Sequence, residues 1–274
     1  MSAVALVYLA WAPLGPGPLR SFLRSYREHP SGEDHELVIL LNGAGAGGSG
    51  EQEWAMLLAE MSGTQHRLLE LERPLLDLAA YAEAARRLDQ ERLCFVNSYS
   101  TILLDGWLGL LARALAEPGV GLAGATGSWE SQAEWVRGRV RHWPQQLAGL
   151  RAARRDYPRF PNPHLRSNAF IVQRSSLLEM GLEAVRDKRG AYVLESGRRS
   201  ITRRVEEAGL RAVVVGRDSR VYDVEQWPAS RTFRSGDQEN LIVADNQTRD
   251  YQQASAMLRH RLARASWGDA AFTS

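Results

Sequence analysis

The chain has 274 residues, 44% of them apolar and 24% charged, with a single cysteine. That composition excludes disordered, collagenous and disulfide-stapled classes, and one cysteine rules out an intrachain disulfide or a cysteine-based metal centre. The net charge of +2 conceals an asymmetry: residues 1–130 carry nine basic and sixteen acidic side chains, residues 131–274 twenty-five and sixteen, and all basic residues but Lys188 are arginine.

The first element is the apolar run Ala3–Ala10, which ends in the breaker-rich segment APLGPGP and reads as a strand buried on both faces. It has no basic leader or clear cleavage site, and no segment reaches the roughly 18 consecutive apolar residues of a spanning helix. A cytoplasmic protein is expected, peripheral to a membrane at most. Pro18–His29 places Leu19, Phe22, Leu23 and Tyr26 at helical spacing, and His35–Leu41 is a second apolar strand. Strand, helix and strand in so short a span make a βαβ unit, whose handedness rule gives a parallel sheet. A Gly-rich loop follows over 43–50, then a helix over Glu51–Ser62 and a strand over Gln65–Leu71. The loop has neither a Gly-Lys-Ser/Thr signature nor clean Rossmann glycine spacing, so it reads as a plain loop.

Asp77–Leu88 is an Ala-rich helix, Arg92–Val96 a fourth strand, Asp105–Ala116 a helix and Val120–Thr126 a fifth strand. The rhythm then breaks. Residues 129–166 hold three Trp, four Pro and eight Arg, and read as helix plus loop. Ser167–Gln173 returns to strand, Ser175–Arg186 and Ser200–Ala208 to helix, Arg211–Val215 to strand, and Arg249–Ala265 to an amphipathic terminal helix. The fold class is α/β, a single domain over 1–222 built on a mostly parallel, Rossmann-like sheet, with residues 223–274 as an extension over the domain or against a second subunit.

Open parallel sheets bind ligands beyond the carboxyl ends of their strands. The polar residues read there are Asn42, Asp77, Asn97 and Ser98, each of which is also an ordinary turn or cap residue. The six histidines show no ligand spacing, no nucleophile elbow occurs, and Cys94 lies inside an apolar strand. The stretch 137–166 sets eight arginines against one acid, Asp156, with Trp143, Tyr157 and Phe160 between them. Proline-rich spacing and the lack of a nucleic-acid motif argue against a nucleic acid there. A solvated face or a docking surface for an anionic acceptor or lipid headgroups remains.

The opening strand–helix–strand with HELVILLNG, the segment LCFVNSYS (93–100) before DGWLGLL, GLAGATGSWES (121–131) and ESGRRSITRRVEEAGLRAVVV (195–215) together resemble family 2 glycosyltransferases of the GT-A fold. The resemblance runs over about residues 3–222. It implies a nucleotide-sugar donor, a glycan or other hydroxyl acceptor and a role in bacterial surface glycan synthesis. It also implies donor contacts at Asn42, Asp77, Tyr81, Asn97 and Ser98. The family's Asp-x-Asp falls on Asn97-Ser98-Tyr99 and its base-contacting acid on Asn42, so no carboxylate stands at either place. Mg²⁺ or Mn²⁺ would then be weakly held at best, through the neutral oxygen of Asn97. Arg198, Arg199, Arg203 and Arg204 are the cations expected to stabilise a leaving diphosphate instead. Glu195 is the expected general base of an inverting transfer, and a helix N-terminal acid is its structural alternative. An inactive protein of this fold that binds a nucleotide sugar or a partner enzyme is the second reading. A nucleotidyltransferase is a more distant third, because APLGPGPLRSF echoes that class poorly. Asp245-Asn246 is a turn or a ligand contact.

Overall fold

A computed structural model describes residues 2–44, 51–134, 153–182 and 188–272. The Gly-rich loop beyond 44, the arginine-rich stretch up to 152 and the end of the helix expected over 175–186 therefore lie outside the described residues.

In chain order the elements are β1 (Val4–Trp11), α1 (Gly17–Glu28), β2 (His35–Asn42), α2 (Glu51–Glu60), β3 (Arg67–Leu71), α3 (Asp77–Arg87), β4 (Arg92–Val96), β5 (Thr101–Ile102), α4 (Trp107–Ala116) and β6 (Val120–Gly124). Then come β7 (Gly127–Ser128), β8 (His164–Leu165), β9 (Ala169–Gln173), α5 (Arg174–Glu179), α6 (Lys188–Ser196), α7 (Ile201–Glu207), β10 (Arg211–Val215), β11 (Val221–Tyr222), β12 (Val243–Ala244), α8 (Asn246–Gln253) and α9 (Ala256–Trp267).

Eight strands form one sheet in the order β11-β10-β6-β9-β4-β1-β2-β3. β1 lies inside the sheet, flanked by and parallel to β2 and β4. Its alternate side chains serve two cores: Val4, Leu6, Tyr8 and Ala10 pack with Phe22 of α1 and Trp107 of α4. Ala5, Val7 and Leu9 face α3 in a second core, which extends to Trp227, Phe233 and Trp267 from the C-terminal segment. A strand covered on both faces has no polar side, so its sequence is a continuous apolar run. α1 turns Leu19, Phe22 and Leu23 inward at the 3.6-residue repeat, and the Phe22 ring stacks on Tyr8 at 4.3 Å.

Two elements depart from the chain-order reading. β9 runs antiparallel between β4 and β6. The chain leaves the sheet at Gly124 and comes back at Ala169 on the same edge, with the exit and return joined by the antiparallel pair β7–β8. A chain that goes out and returns at one edge must reverse direction. The single terminal helix expected over 249–265 is two helices, α8 and α9, split where Ala254 is extended and the Ser255 side chain accepts from Leu258 N to start α9. Among the described residues, no helix is long and apolar enough to cross a membrane.

Candidate active site

From β1 the chain winds through β2 to β3 on one flank, while β4 lies on the other flank, so the carboxyl ends of β1 and β4 form the topological switch point. Short polar side chains knit that point together. Ser98 Oγ donates to Leu9 O at 2.7 Å and accepts from Trp11 N at 3.3 Å, and Tyr8 donates its hydroxyl to Ser98 O at 2.7 Å. Asn97 Oδ1 accepts from Tyr99 N and Ser100 Oγ, both at 3.0 Å, which closes an Asx turn. Beside this turn opens a crevice of ≈390 Å³ lined by Pro18, Ser21, Ser98, Tyr99, Ser100 and Arg249. That volume suits a small ligand.

Asn42, at the end of β2, is fully buried and uses its amide as a clip: Nδ2 donates to Leu75 O at 2.7 Å and Oδ1 accepts from Leu75 N at 2.9 Å. The clip fixes the segment that leads into α3, whose first residue is Asp77. Asp77 is open to solvent yet ringed by protein, and burial, followed by the nearby Glu195 carboxylate, pushes its carboxyl up to about 6 against an opposing backbone amide. One turn further along α3, Tyr81 is fully buried against Phe95 at 4.4 Å, and its hydroxyl lacks a hydrogen-bond partner among the described residues. Burial raises that phenol well above its ordinary value, and the Asp77 and Glu195 carboxylates add to the effect.

Glu195 stands in the last turn of α6, not at a helix N-terminus, so dipole stabilisation does not account for it. Its Oε1 accepts from Ser167 N at 3.1 Å and Ser167 Oγ at 2.9 Å, while Oε2 makes no hydrogen bond with the described residues. A carboxylate pinned through one oxygen with the other free is the geometry of a positioned base. The neighbouring residue Asn168 accepts from Asn97 N at 3.1 Å and Ser100 Oγ at 2.8 Å through its carbonyl. The segment 166–168 therefore separates Glu195 on one side from the Asn97 turn on the other. Next to it, Arg166 is buried and donates to Asp245 at 2.6 Å, and His164 is buried with Nδ1 on Asn162 O at 2.9 Å. Burial lowers the His164 pKa against the Asn162 carbonyl and the Glu195 and Glu130 carboxylates, which favour the charged ring.

The four arginines do not gather on the Asn97 turn. Arg198 donates to Arg154 O at 3.3 Å, Arg203 to Asn162 Oδ1 at 3.5 Å, and Arg204 to the carbonyls of Met180 and Arg199. Arg199 is exposed between α6 and α7. Motif reading passes over Ser167, which holds Glu195, Arg166, which pairs with Asp245, and Arg249, which lines the crevice, since none of them ends an apolar strand. A groove of ≈880 Å³ between α9 and residues 130–134 is lined by Phe160, Leu258 and Leu262 and shares no lining residue with the crevice.

The donor set does not fit a divalent cation. The 97–99 turn offers no carboxylate, its one side-chain amide oxygen already accepts two hydrogen bonds, and no metal-holding group of three His, Cys, Asp or Glu occurs among the described residues.

No protein-family model matches the chain, and no curated protein sequence matches it. Solved structures do. The chain is similar to mannosyltransferase PcManGT from Pyrobaculum calidifontis in complex with GDP-Man and Mn²⁺, at 16% identity and a TM-score of 0.49 over 84% of this chain and 60% of that one. It is similar to TarS 1–349 of S. aureus at 13% identity and a TM-score of 0.43, over 70% and 54% of the two chains. A third is glucosyl-3-phosphoglycerate synthase from Mycobacterium tuberculosis in complex with Mn²⁺, UDP and phosphoglyceric acid, at 15% identity and a TM-score of 0.39, over 64% and 57%. The chain thus spans less than two thirds of the length of each of these three proteins.

Proposed function

We propose that the protein is an inverting glycosyltransferase that moves a sugar from a nucleotide-activated donor to a hydroxyl acceptor, the glycan class being the acceptor implied by its sequence resemblance. The observation that carries this reading is Glu195: a carboxylate held through Oε1 by Ser167, with Oε2 free, across the segment 166–168 from the switch-point crevice. In the transfer, the acceptor oxygen attacks the anomeric carbon as its proton passes to Glu195 Oε2. The bond from that carbon to the diphosphate breaks, and its electron pair leaves with the diphosphate. The configuration at carbon inverts because attack and departure take place on opposite faces. The donor contacts assigned to Asn42, Asp77, Tyr81, Asn97 and Ser98 belong to this reading, and so does division into a catalytic part over 1–222 and an extension over 223–274.

One observation favours the second reading, a protein that binds a nucleotide sugar without turning it over: the turn after β4 carries no carboxylate. Donor turnover by wild type and Glu195→Gln separates the two. A fall of about a hundredfold or more in the variant, with donor affinity kept, is the size a lost general base gives and supports the enzyme. Donor binding without turnover in wild type supports the binder, and equal turnover in the two proteins removes Glu195 from its role.

A further inference from the structure

α9 packs on the domain through Ala263, Ser266 and Trp267, which are buried, and through Arg259, which lies over the Tyr251 ring at 4.9 Å. A helix docked on one core needs one such face. α9 carries a second. Leu258, Leu262 and Ala265 recur at helical spacing on the wall of the ≈880 Å³ groove, and Phe160 lines the same space. Leu258 is 42% exposed, and the adjoining Met257 is 78% exposed. Apolar side chains gathered in the open on a helix already anchored by its other face mark a surface that takes a partner.

The groove is formed before anything enters it, because its walls brace each other. Trp129 N donates to Ser266 O at 3.0 Å, and the Trp129 and Trp267 rings meet edge to face at 5.9 Å. Arg234 donates to Glu130 at 3.3 Å and to Ser266 Oγ at 3.4 Å. Charge is divided between the walls: Arg261 and Arg264 stand on α9, Glu130 and Glu134 on the other side. Glu130 is paired with Arg234, and Arg264 with Asp269. The exposed Arg261 and Glu134 pair with no opposite charge among the described residues.

Three lining acids, Glu130, Glu134 and Asp269, oppose an anionic lipid surface. The surface that fits is an apolar helix stripe with a cation on one flank and an acid on the other. A second copy of this chain presents that surface. A two-fold axis lets each α9 enter the groove of the other copy, and it brings the unpaired Arg261 of each to the unpaired Glu134 of the other.

We propose that α9, Phe160 and residues 130–134 form the interface of a two-fold dimer of this chain, each α9 seated in the groove of the other copy. An exposed ion pair adds little strength, so the stripe of Leu258 and Leu262 supplies the affinity and the pairing of Arg261 with Glu134 fixes the register. The inference is independent of glycosyl transfer, since the groove shares no lining residue with the switch-point crevice.

The test is sedimentation velocity over about a hundredfold range of protein concentration. The proteins are wild type, Leu258→Glu, Arg261→Glu, Glu134→Arg and the exchanged Arg261→Glu with Glu134→Arg. Each substitution occurs twice in a two-fold interface, which doubles its effect. Wild type should sediment as a dimer that dissociates on dilution. Its dissociation constant should rise about tenfold or more in Leu258→Glu and in either charge reversal, and return to within about threefold in the exchanged protein. Rescue by exchange is a result that damage to α9 alone does not produce. All three positions are exposed, and should Leu258→Glu fail to fold, the charge set decides. A wild-type monomer at every concentration, or a dimer that none of the substitutions weakens, overturns the interface. Charge reversals that weaken the dimer without rescue overturn the seating of Arg261 against Glu134. A monomer that co-sediments with phosphatidylglycerol vesicles overturns the dimer and gives the groove to a lipid surface.

Discussion

Asp77 and Tyr81 of α3 and Glu195 of α6 put two carboxylates and a buried, unpartnered phenol close enough to act on one another's charge. Burial, followed by the nearby Glu195 carboxylate, raises the Asp77 carboxyl to about 6. An unfolded Asp titrates near 3.9, so the folded state holds this proton more tightly than the unfolded chain does. A raised carboxyl of that kind contributes stability below about pH 4 and loses it as pH rises through about 6. Asp77→Asn removes this dependence. Urea titrations at stepped pH should show the variant equal to wild type near pH 4 and more stable at pH 7–8, with the difference opening between pH 4 and 6. A difference that does not change with pH would mean that Asp77 is not raised in the folded protein.

At the level of elements, α4 shows how a loop substitutes for a cap. The amides of Gly106, Leu108 and Gly109 donate to the carbonyls of Pro30 and Ser31 at 2.7–3.1 Å, which satisfies the start of the helix with backbone from the α1–β2 loop. The approach is close enough that a Cβ on Gly109 would sit 2.6 Å from Gly32 O. Neither backbone can give way, so Gly109→Ala should cost about 1–3 kcal/mol by overpacking, despite alanine's better helix propensity. Denaturant midpoints of the two proteins check the sign. Features of this kind were not legible in the sequence, because they depend on which loop arrives at which helix. The two-residue strands β5, β7, β8, β11 and β12 are too short to carry a pattern, but the long strands were legible, since Val4–Trp11 and the Leu37–Leu41 part of β2 are apolar throughout. The direction of β9 was not: the same apolar run serves a parallel or an antiparallel neighbour, and only the pairing of β7 with β8 decides. Asn97 and Ser98 stood out as polar residues closing an apolar strand. Ser167 and Arg249 carry no such mark, because their roles come from partners 28 and about 150 residues away.

Across the whole molecule, the segment after β11 is part of both the core and the site edge. Trp267 is buried and donates to Phe233 O at 2.7 Å, and Trp129 N donates to Ser266 O at 3.0 Å. Arg234 pairs with Glu130 at 3.3 Å, and the buried Arg166 pairs with Asp245 at 2.6 Å while lying over the Phe233 ring at 4.1 Å. Asp245 also caps α8 by accepting from Thr248 N at 2.9 Å, so one carboxylate orients the helix that carries Arg249. Burial alone would raise the Asp245 pKa, but the Arg166 charge and hydrogen bond, together with the Thr248 bonds, hold it below the usual carboxylate range. A depressed carboxyl adds stability above the unfolded value near 3.9 and loses it as pH falls through the folded value. Asp245→Ala strands a buried guanidinium and should cost about 3–5 kcal/mol at neutral pH. Replacing both partners, as Arg166→Met with Asp245→Leu, removes the stranded charge and should cost less than Asp245→Ala alone. Denaturant midpoints of wild type, Asp245→Ala and the double variant check the order: a double variant as unstable as Asp245→Ala would mean that the loss of the cap on α8, and not the stranded guanidinium, sets the cost.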